Sequence, residues 1–293
     1  MNRALFSMKN TFFAALFTLF CVFVATSCDK IEGPYISHDQ SVITDVVFPD
    51  LDTNAVIQKV LMEEYTGQCC VNCPSGHREL ENLMATYGDA LIPIGLHVGV
   101  FAIPTPSFPN DFRTEEGTTL YNDFGVSSVG TPAGVVNRKS FGGSTALLIA
   151  QWRQSIAECA AATPVAAIQM INRYDEASHT LTAHTKTTVL ADYEGTVLLS
   201  LYVIEDGIVG PQKDGDVTVE DYVHQHVLRG SINGTYGSQL TMDGTVQKGE
   251  SYTKSYDLDC SGKTWNLDNC SVIAILTDAT TREVIQVEKC PFK

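Results

Sequence analysis

Basic residues are scarce in this sequence. The chain has 293 residues, of which 19 are Lys or Arg and 34 are Asp or Glu, so its formal net charge is −15 at pH 7. Nucleic-acid phosphates would repel such a chain, and so would a surface of anionic lipids. We therefore expect no nucleic acid among its partners. The length leaves room for two domains of ordinary size.

Long hydrophobic runs are also lacking. The longest covers residues 11–25, follows a basic start and leads through small residues to Cys28. A membrane-spanning helix needs about 20 apolar residues, so this pattern predicts a signal peptide over residues 1–27. The segment that ends at Cys28 resembles a lipobox, which implies cleavage before that cysteine and its acylation. Several acyl chains on one residue give stable anchoring, so the expected partner of Cys28 is a lipid bilayer. Residues 28–50 are predicted to be a lipid-anchored linker.

The ligands of a complete metal site are lacking as well. Cys70 and Cys73 form a C-x-x-C pair, but a structural zinc site needs a second Cys or His pair. His77 supplies a third ligand at most. His224 and His226 would lie on one face of a predicted strand, again without a third ligand. We therefore expect no metal and no cofactor.

The segment around Cys70 and Cys73 is the most informative part of the sequence. An apolar run at residues 60–62 leads into it, and residues 75–87 follow with apolar side chains at helical spacing. This order predicts a strand, a turn and a helix. Unpaired N–H groups and the positive end of the helix dipole would favour a thiolate at the helix start. Because thiol–disulfide exchange requires a lowered thiol pKa, the motif predicts that chemistry.

Three further features accompany this motif. Glu64 lies six residues before Cys70, the tripeptide ending at Pro132 leads into an apolar run, and residues 222–229 carry two histidines within an apolar segment. With the C-x-x-C pair, these features resemble the thioredoxin fold and, more specifically, the Omp28-related outer-membrane lipoprotein family. The resemblance implies a lipid-anchored protein of the bacterial cell envelope, in the outer membrane.

The resemblance also implies roles for individual residues. Cys70 would be the attacking cysteine and Cys73 the resolving one. Glu64 would move the proton of Cys73, and Pro132, after a cis peptide bond, would position the backbone of a partner. Cys69 stands where thioredoxins usually have tryptophan, which puts a third sulfur beside the pair. The predicted activity is that of a thiol–disulfide oxidoreductase, with protein thiols or disulfides as partners.

Two alternatives stay open at this stage. In the first, the protein is a non-enzymatic binding lipoprotein of the outer membrane or cell surface, and Cys70–Cys73 is a structural disulfide. In the second, the protein reduces peroxides, which would require an activated threonine and an arginine near the reactive cysteine. Thr66 is present, but the sequence gives no clear position for Arg78.

The two halves of the mature chain differ in character. Helical patterns alternate with apolar strands over residues 51–162, which predicts an α/β thioredoxin-like domain. Short strand-like runs follow in residues 163–293, which predicts an all-β immunoglobulin-like sandwich. Residues 197–204 are apolar on both faces and are predicted to form a central strand. The predicted strands cover residues 165–170, 180–189, 196–204, 222–228, 251–258, 271–276 and 283–288.

Cysteines are also present in the second half of the chain. Cys260, Cys270 and Cys290 lie in the predicted β domain. In an oxidising compartment one pair of them could form a disulfide. The sequence leaves the choice of pair open.

Overall fold

A computed structural model describes residues 46–241 and 245–293. The predicted signal peptide (1–27), the acylation site Cys28 and most of the predicted linker lie outside the described residues. Within the described ranges, no helix is both long enough and apolar enough to cross a membrane.

The helices are short and begin and end for local reasons. Helix α1 begins at Cys73 with a proline in its first turn, where a missing N–H costs nothing. It ends at Tyr87 and is followed by Gly88, whose φ of 53° favours glycine. The side chain of Thr114 accepts the N–H of Gly117 at 3.0 Å and so caps α2. The α-helices are α1 Cys73–Tyr87, α2 Glu115–Asp123 and α3 Ile149–Ala160. Short 3₁₀ turns cover Gly88–Ala90, Val100–Ala102, Val126–Ser128 and Leu267–Asn269.

Strands make up most of the regular structure. They are β1 Val60–Thr66, β2 Leu91–His97, β3 Ala133–Val136, β4 Ala166–Asp175, β5 Thr180–Val189, β6 Val197–Glu205, β7 Ile208–Asp214, β8 Val217–His224, β9 Val227–Ser231, β10 Ser238–Gln239, β11 Ser251–Asp259, β12 Cys270–Asp278 and β13 Val284–Pro291. An eight-stranded sheet has the order β13-β12-β6-β9-β2-β1-β3, and β10 pairs with β6. Strands β11, β5 and β4 form a second sheet, and β7 and β8 form a separate hairpin.

The predicted fold class, an α/β thioredoxin-like domain followed by an immunoglobulin-like sandwich, is wrong. One large sheet joins strands from both halves of the chain, because β2 pairs in parallel with β9 at Gly95 and Val227. The N–H of Gly95 donates to the carbonyl of His226 at 2.7 Å. A Cβ on Gly95 would lie only 3.3 Å from the carbonyl oxygen of Gln225, so the glycine lets the two backbones approach. The predicted domain boundary between residues 162 and 163 stays a prediction.

The core extends through both halves of the chain. Strand β6 is buried on both of its faces, as its apolar sequence predicts. Tyr202 and Ile204 pack in one cluster with side chains of β1 and β2. Leu199, Leu201 and Val203 point to the other side and pack with β4, β5 and β11. Helices α1 and α3 cover a third cluster on β1.

One predicted strand, residues 222–228, is wrong. Strand β8 ends at His224 and β9 begins at Val227. Between them His226 has φ 57°, in the left-handed region, and this breaks the strand. The hairpin of β7 and β8 was not predicted at all.

Candidate functional site

Cys70 and Cys73 form a disulfide at the turn between β1 and α1. This pairing is one of the outcomes that the C-x-x-C motif predicts. Both residues are buried: Cys70 is 2% exposed and Cys73 is 0% exposed. Cys73 is the first residue of α1, so its sulfur belongs to the N-terminal turn of that helix.

The loop before β3 faces Cys70. The peptide bond between Thr131 and Pro132 is cis, as the sequence predicts. The hydroxyl of Thr131 donates to Sγ of Cys70 at 3.7 Å, and the carbonyl oxygen of Thr131 lies 3.7 Å from the same sulfur. Thr131 is therefore a site residue that sequence reasoning missed, although its neighbour Pro132 was identified.

Glu64 is buried on the inner side of α1. It belongs to β1, and a Cβ on Gly76 would lie 2.7 Å from Oε1 of Glu64 and 3.2 Å from Cβ of Pro132. Gly76 stands one helical turn after Cys73, so the carboxyl group packs against the same turn of the helix that carries the sulfur. Among the described residues, Oε1 has no hydrogen-bond partner.

Burial controls the protonation of this carboxyl group. Removal from water is the main cause that raises the pKa of Glu64 to about 8, and the nearby charge of Glu81 contributes in the same direction. The carboxyl group is therefore largely protonated at neutral pH. A buried carboxylic acid in this state can donate a proton to a thiolate that forms nearby.

A cavity of about 50 Å³ lies next to Glu64. Its polar lining includes Glu64, Thr66, His77, His97, Tyr222 and His224. His77 lies in the middle of this group, with Nε2 3.0 Å from the hydroxyl oxygen of Thr66 and Nδ1 2.6 Å from the hydroxyl oxygen of Tyr222. Nε2 also lies 3.7 Å from Oε1 of Glu64. We call this space the histidine cavity.

Three histidines of the cavity, His77, His97 and His224, are neutral at physiological pH. Burial lowers the pKa of His77 to about 4, with a further contribution from His224. Burial also lowers the pKa of His224 to about 4 and holds that of His97 well below its usual value. Neutral imidazoles can accept a hydrogen bond at one nitrogen and donate at the other.

The hairpin β7–β8 is attached to the disulfide turn by side-chain and backbone hydrogen bonds. The side-chain amide of Gln212 donates to the carbonyls of Gly67 and Cys70 at 3.2 and 3.3 Å. The N–H of Gly215 donates to the carbonyl of Val71 at 2.9 Å. Arg78 on α1 forms an ion pair with Asp214 at 3.0 Å, which places Arg78 at the hairpin. Gln212 and Tyr222 are therefore site residues that sequence reasoning missed, and no local pattern indicates the long-range contact.

The third sulfur of the turn does not join the disulfide. The backbone N–H of Cys69 donates to the carbonyl of Phe101 at 2.9 Å, and its thiol is free. Burial raises the pKa of this thiol, while a hydrogen bond with Thr105 acts in the opposite direction. Cys69 is therefore a weaker nucleophile at neutral pH than a low-pKa cysteine would be. Cys260, Cys270 and Cys290, between which the sequence left a pairing open, are also free.

The candidate metal ligands do not come together in a cluster of three. His224 is buried at the end of β8, whereas the backbone N–H of His226 donates to Oδ1 of Asp206 at 2.6 Å. Across the described part of the chain, no group of three His, Cys, Asp or Glu side chains is placed to hold a metal ion.

The family of the chain is shown by its sequence. The profile described as "Outer membrane protein Omp28" matches residues 117–293, more than half of the chain. The chain belongs to the Omp28 family. This confirms the predicted family and the predicted location in the outer membrane of the bacterial cell envelope. The acylation of Cys28 lies outside the described residues and stays a prediction.

Two solved structures are similar to this Omp28-family chain in fold, and a third matches a smaller part of it. HBP35 of Porphyromonas gingivalis has a TM-score of 0.59 and 16% identity, over 80% of this chain and 75% of that chain. A structural-genomics target protein from Agrobacterium tumefaciens has a TM-score of 0.51 and 13% identity, over 81% and 96%. A domain of the outer membrane lipoprotein Omp28 from Porphyromonas gingivalis has a TM-score of 0.31 and 20% identity, over 45% and 91%. No curated protein matches the sequence.

Proposed function

We propose that this Omp28-family protein exchanges thiols and disulfides with partner proteins through Cys70 and Cys73. The observation that carries the proposal is the placement of Glu64. Its carboxyl group is buried against the first turns of α1, beside Gly76, and its pKa of about 8 lets it hold or release a proton near neutral pH. Reversible protonation of a leaving thiolate is what the exchange reaction needs at this position.

The oxidising reaction would proceed in two steps. A partner thiolate attacks Sγ of Cys70, the bond to Cys73 breaks, and a mixed disulfide forms between Cys70 and the partner. The thiolate of Cys73 takes its proton from Glu64. A second partner thiol then attacks the mixed disulfide and releases Cys70. Two electrons and two protons have passed from the partner dithiol to the pair, and the reverse sequence reduces a partner disulfide.

The loop around Pro132 would receive the partner. Thr131 already contacts the sulfur of Cys70 through its carbonyl and its hydroxyl. A partner that approaches Cys70 must therefore pass along the backbone of this loop. We assign Pro132 the role of positioning that partner. Cys70 is the sulfur that forms the mixed disulfide: the partner attacks it in the oxidising direction, and it attacks the partner disulfide in the reducing direction.

A second candidate is a binding lipoprotein in which the disulfide is structural. Two observations favour it: the sulfurs are almost fully buried, and Gln212 fastens the carbonyl of Cys70 to the hairpin β7–β8. A disulfide that only stabilises a turn needs no access from solvent. The two candidates differ in whether a partner sulfur can reach Cys70.

Trapping tests this difference. In a Cys69→Ala background, Cys73→Ala leaves Cys70 without its resolving thiol, so mixed disulfides with cell-envelope proteins should accumulate. The matched control is Cys70→Ala in the same background, which also removes the disulfide but leaves only the fully buried Cys73. Conjugates seen with Cys73→Ala alone support exchange. No conjugates, or equal amounts in both variants, would support the structural role.

A further inference from the structure

The proposed exchange leaves one problem unsolved, which is how Glu64 recovers its proton. Its side chain is 4% exposed, so bulk water does not reach it freely. Once Glu64 has given its proton to Cys73 it is a buried carboxylate, and with a pKa of about 8 it takes up another proton from solvent at neutral pH unless the reverse reaction returns one first. A route between Glu64 and the surface is therefore required.

The histidine cavity offers such a route. Oε1 of Glu64 and Nε2 of His77 are 3.7 Å apart, too far for a direct hydrogen bond and close enough for a bridging group. The hydroxyl of Thr66 lies 3.0 Å from Nε2 but makes no hydrogen bond with Oε1 of Glu64. A water molecule fits as the bridging group, because about 50 Å³ exceeds the roughly 10–15 Å³ that one water requires.

The route continues from His77 to the rim of the cavity. Nδ1 of His77 lies 2.6 Å from the hydroxyl oxygen of Tyr222, which is half-buried on the hairpin β7–β8. Burial lowers the pKa of His77 to about 4 and raises that of Tyr222 to about 12. Both groups are therefore neutral at pH 7. In the tautomer of His77 that a relay needs, the tyrosine hydroxyl donates to Nδ1 and Nε2–H points toward the bridge.

We propose that His77 and Tyr222 carry protons between solvent and Glu64, so that the hairpin β7–β8 supplies the outer part of an acid–base route to the disulfide. The inference rests on the proposed thiol–disulfide exchange. One proton moves in each passage. Solvent protonates the oxygen of Tyr222 as its hydroxyl proton passes to Nδ1, and the proton on Nε2 passes through the bridge to the carboxylate of Glu64.

Neither residue touches a sulfur in this route, so both are positioning residues that act through Glu64. Other titratable or charged groups face the route from each neighbouring element. They are Arg78 and Glu81 on α1, His97 on β2, Asp214 on β7, His224 on β8 and His226 in the following turn. Glu81 opposes ionisation of Glu64, and Arg78 and His224 oppose protonation of His77. These neighbours therefore favour the uncharged forms of Glu64 and His77.

Tyr222→Phe tests the relay with little structural change. The variant keeps the ring that contacts His77 and His224 and removes only the hydroxyl. Reduction of the Cys70–Cys73 disulfide by dithiothreitol is followed from pH 6 to 9, together with the redox midpoint in glutathione buffers. We expect a rate about tenfold lower near pH 7, since proton transfer by a positioned group contributes at least that much. The midpoint should not change, and imidazole added to the buffer should restore the rate.

The matched control is Tyr193→Phe, which also removes a tyrosine hydroxyl from a hydrogen bond, with Asp278 at 3.0 Å, on another part of the fold. Equal rates in the two variants would overturn the relay. So would a slow Tyr222→Phe variant that imidazole does not restore, because a structural loss cannot be replaced by a diffusing base.

A wild-type protein that exchanges with neither dithiothreitol nor glutathione would refute the proposed function separately. In that case the relay is tested by infrared spectroscopy after a pH jump, which follows the rate at which the carboxyl group of Glu64 loses its proton. The carboxyl band of Glu64 is identified as the one that is absent in Glu64→Gln. Slower deprotonation in Tyr222→Phe than in Tyr193→Phe would support the route, and equal deprotonation would overturn it.

Discussion

Gly76 leaves the space that the carboxyl group of Glu64 occupies: a Cβ atom on Gly76 would lie 2.7 Å from Oε1 of Glu64. The same Cβ would lie 3.0 Å from the ring of Trp152. Both neighbours are buried, so neither can move aside without cost. The glycine therefore sets the distance between the helix that carries Cys73 and the strand that carries Glu64.

Gly76→Ala should destabilise the protein. Alanine normally stabilises a helix by about 0.5–1 kcal/mol relative to glycine, but crowding of a packed site costs about 1–3 kcal/mol. We expect a net loss of about 1–2 kcal/mol in urea unfolding. Gly117→Ala in α2 is the control. The nearest atoms to a Cβ at that position would be the hydroxyl oxygen of Thr114 at 3.1 Å and side-chain carbons of Val98 and Leu96 at 3.5 and 3.8 Å. Equal or greater stability of Gly76→Ala would show that the carboxyl group is not held there.

Glu64 should make stability depend on pH. The pKa is about 8 in the folded protein and 4.5 for an ordinary glutamate, so below pH 4.5 both states are protonated. Between pH 4.5 and 8 the unfolded chain releases the proton and the folded protein keeps it. Stability therefore falls as pH rises through this window, by about 1.4 kcal/mol per pH unit.

Glu64→Gln removes this dependence. From pH 5 to pH 8 the variant should gain about 3 kcal/mol over the wild type, measured by urea unfolding at both values. Glu176→Gln, an exposed acid on the β4–β5 turn, serves as the control and should show little change. A difference between Glu64→Gln and wild type that stays constant with pH would contradict the buried carboxylic acid.

Glu63 and Arg138 form an ion pair in which both side chains are fully buried, with Nη2 of Arg138 2.7 Å from Oε1 of Glu63. Arg138→Met leaves an unpaired buried carboxylate and should cost about 3–5 kcal/mol of unfolding free energy. The double variant Glu63→Met/Arg138→Met removes both charges and should recover part of that loss. A double variant that loses the sum of the two single losses would show that the pair is not coupled.

The free cysteines should differ in reactivity with iodoacetamide at pH 8. Cys69 and Cys290 are partly exposed, whereas Cys159, Cys260 and Cys270 are buried. Burial also raises the pKa of Cys159 to about 11 and that of Cys270 to about 12. The two partly exposed thiols should therefore be labelled first, and the other three only after unfolding, as followed by peptide mass spectrometry. Labelling of native Cys270 as fast as Cys69 would be inconsistent with this packing.

Local features of the site could be predicted from the sequence. The apolar run before Cys70, the helix after it and the cis bond at Pro132 each depend on residues within a few positions of one another. Strand β5 has the predicted bounds, because its alternating pattern and its turns are local signals. The family resemblance also rests on motifs that the sequence displays directly, and the location was implied by that resemblance.

The arrangement of these pieces could not be predicted in the same way. Gly95 of β2 pairs in parallel with Val227 of β9, which is far away in the chain. A glycine within a strand does not indicate which other strand will pair with it. The hairpin β7–β8 was missed because the sequence predicts no strand between residues 204 and 222, where β7 and most of β8 lie. His224 and His226 do not lie on one face of a strand as predicted, because His226 has a positive φ and lies outside the strand.

The measurement that tests the central claim most directly is a glutathione redox titration of protein that begins after Cys28, with Cys70 and Cys73 monitored by alkylation and mass spectrometry. Thiol–disulfide exchange predicts a midpoint of roughly −270 to −120 mV, the span of known exchange proteins. A disulfide that stays oxidised below about −300 mV would contradict exchange and identify the pair as structural.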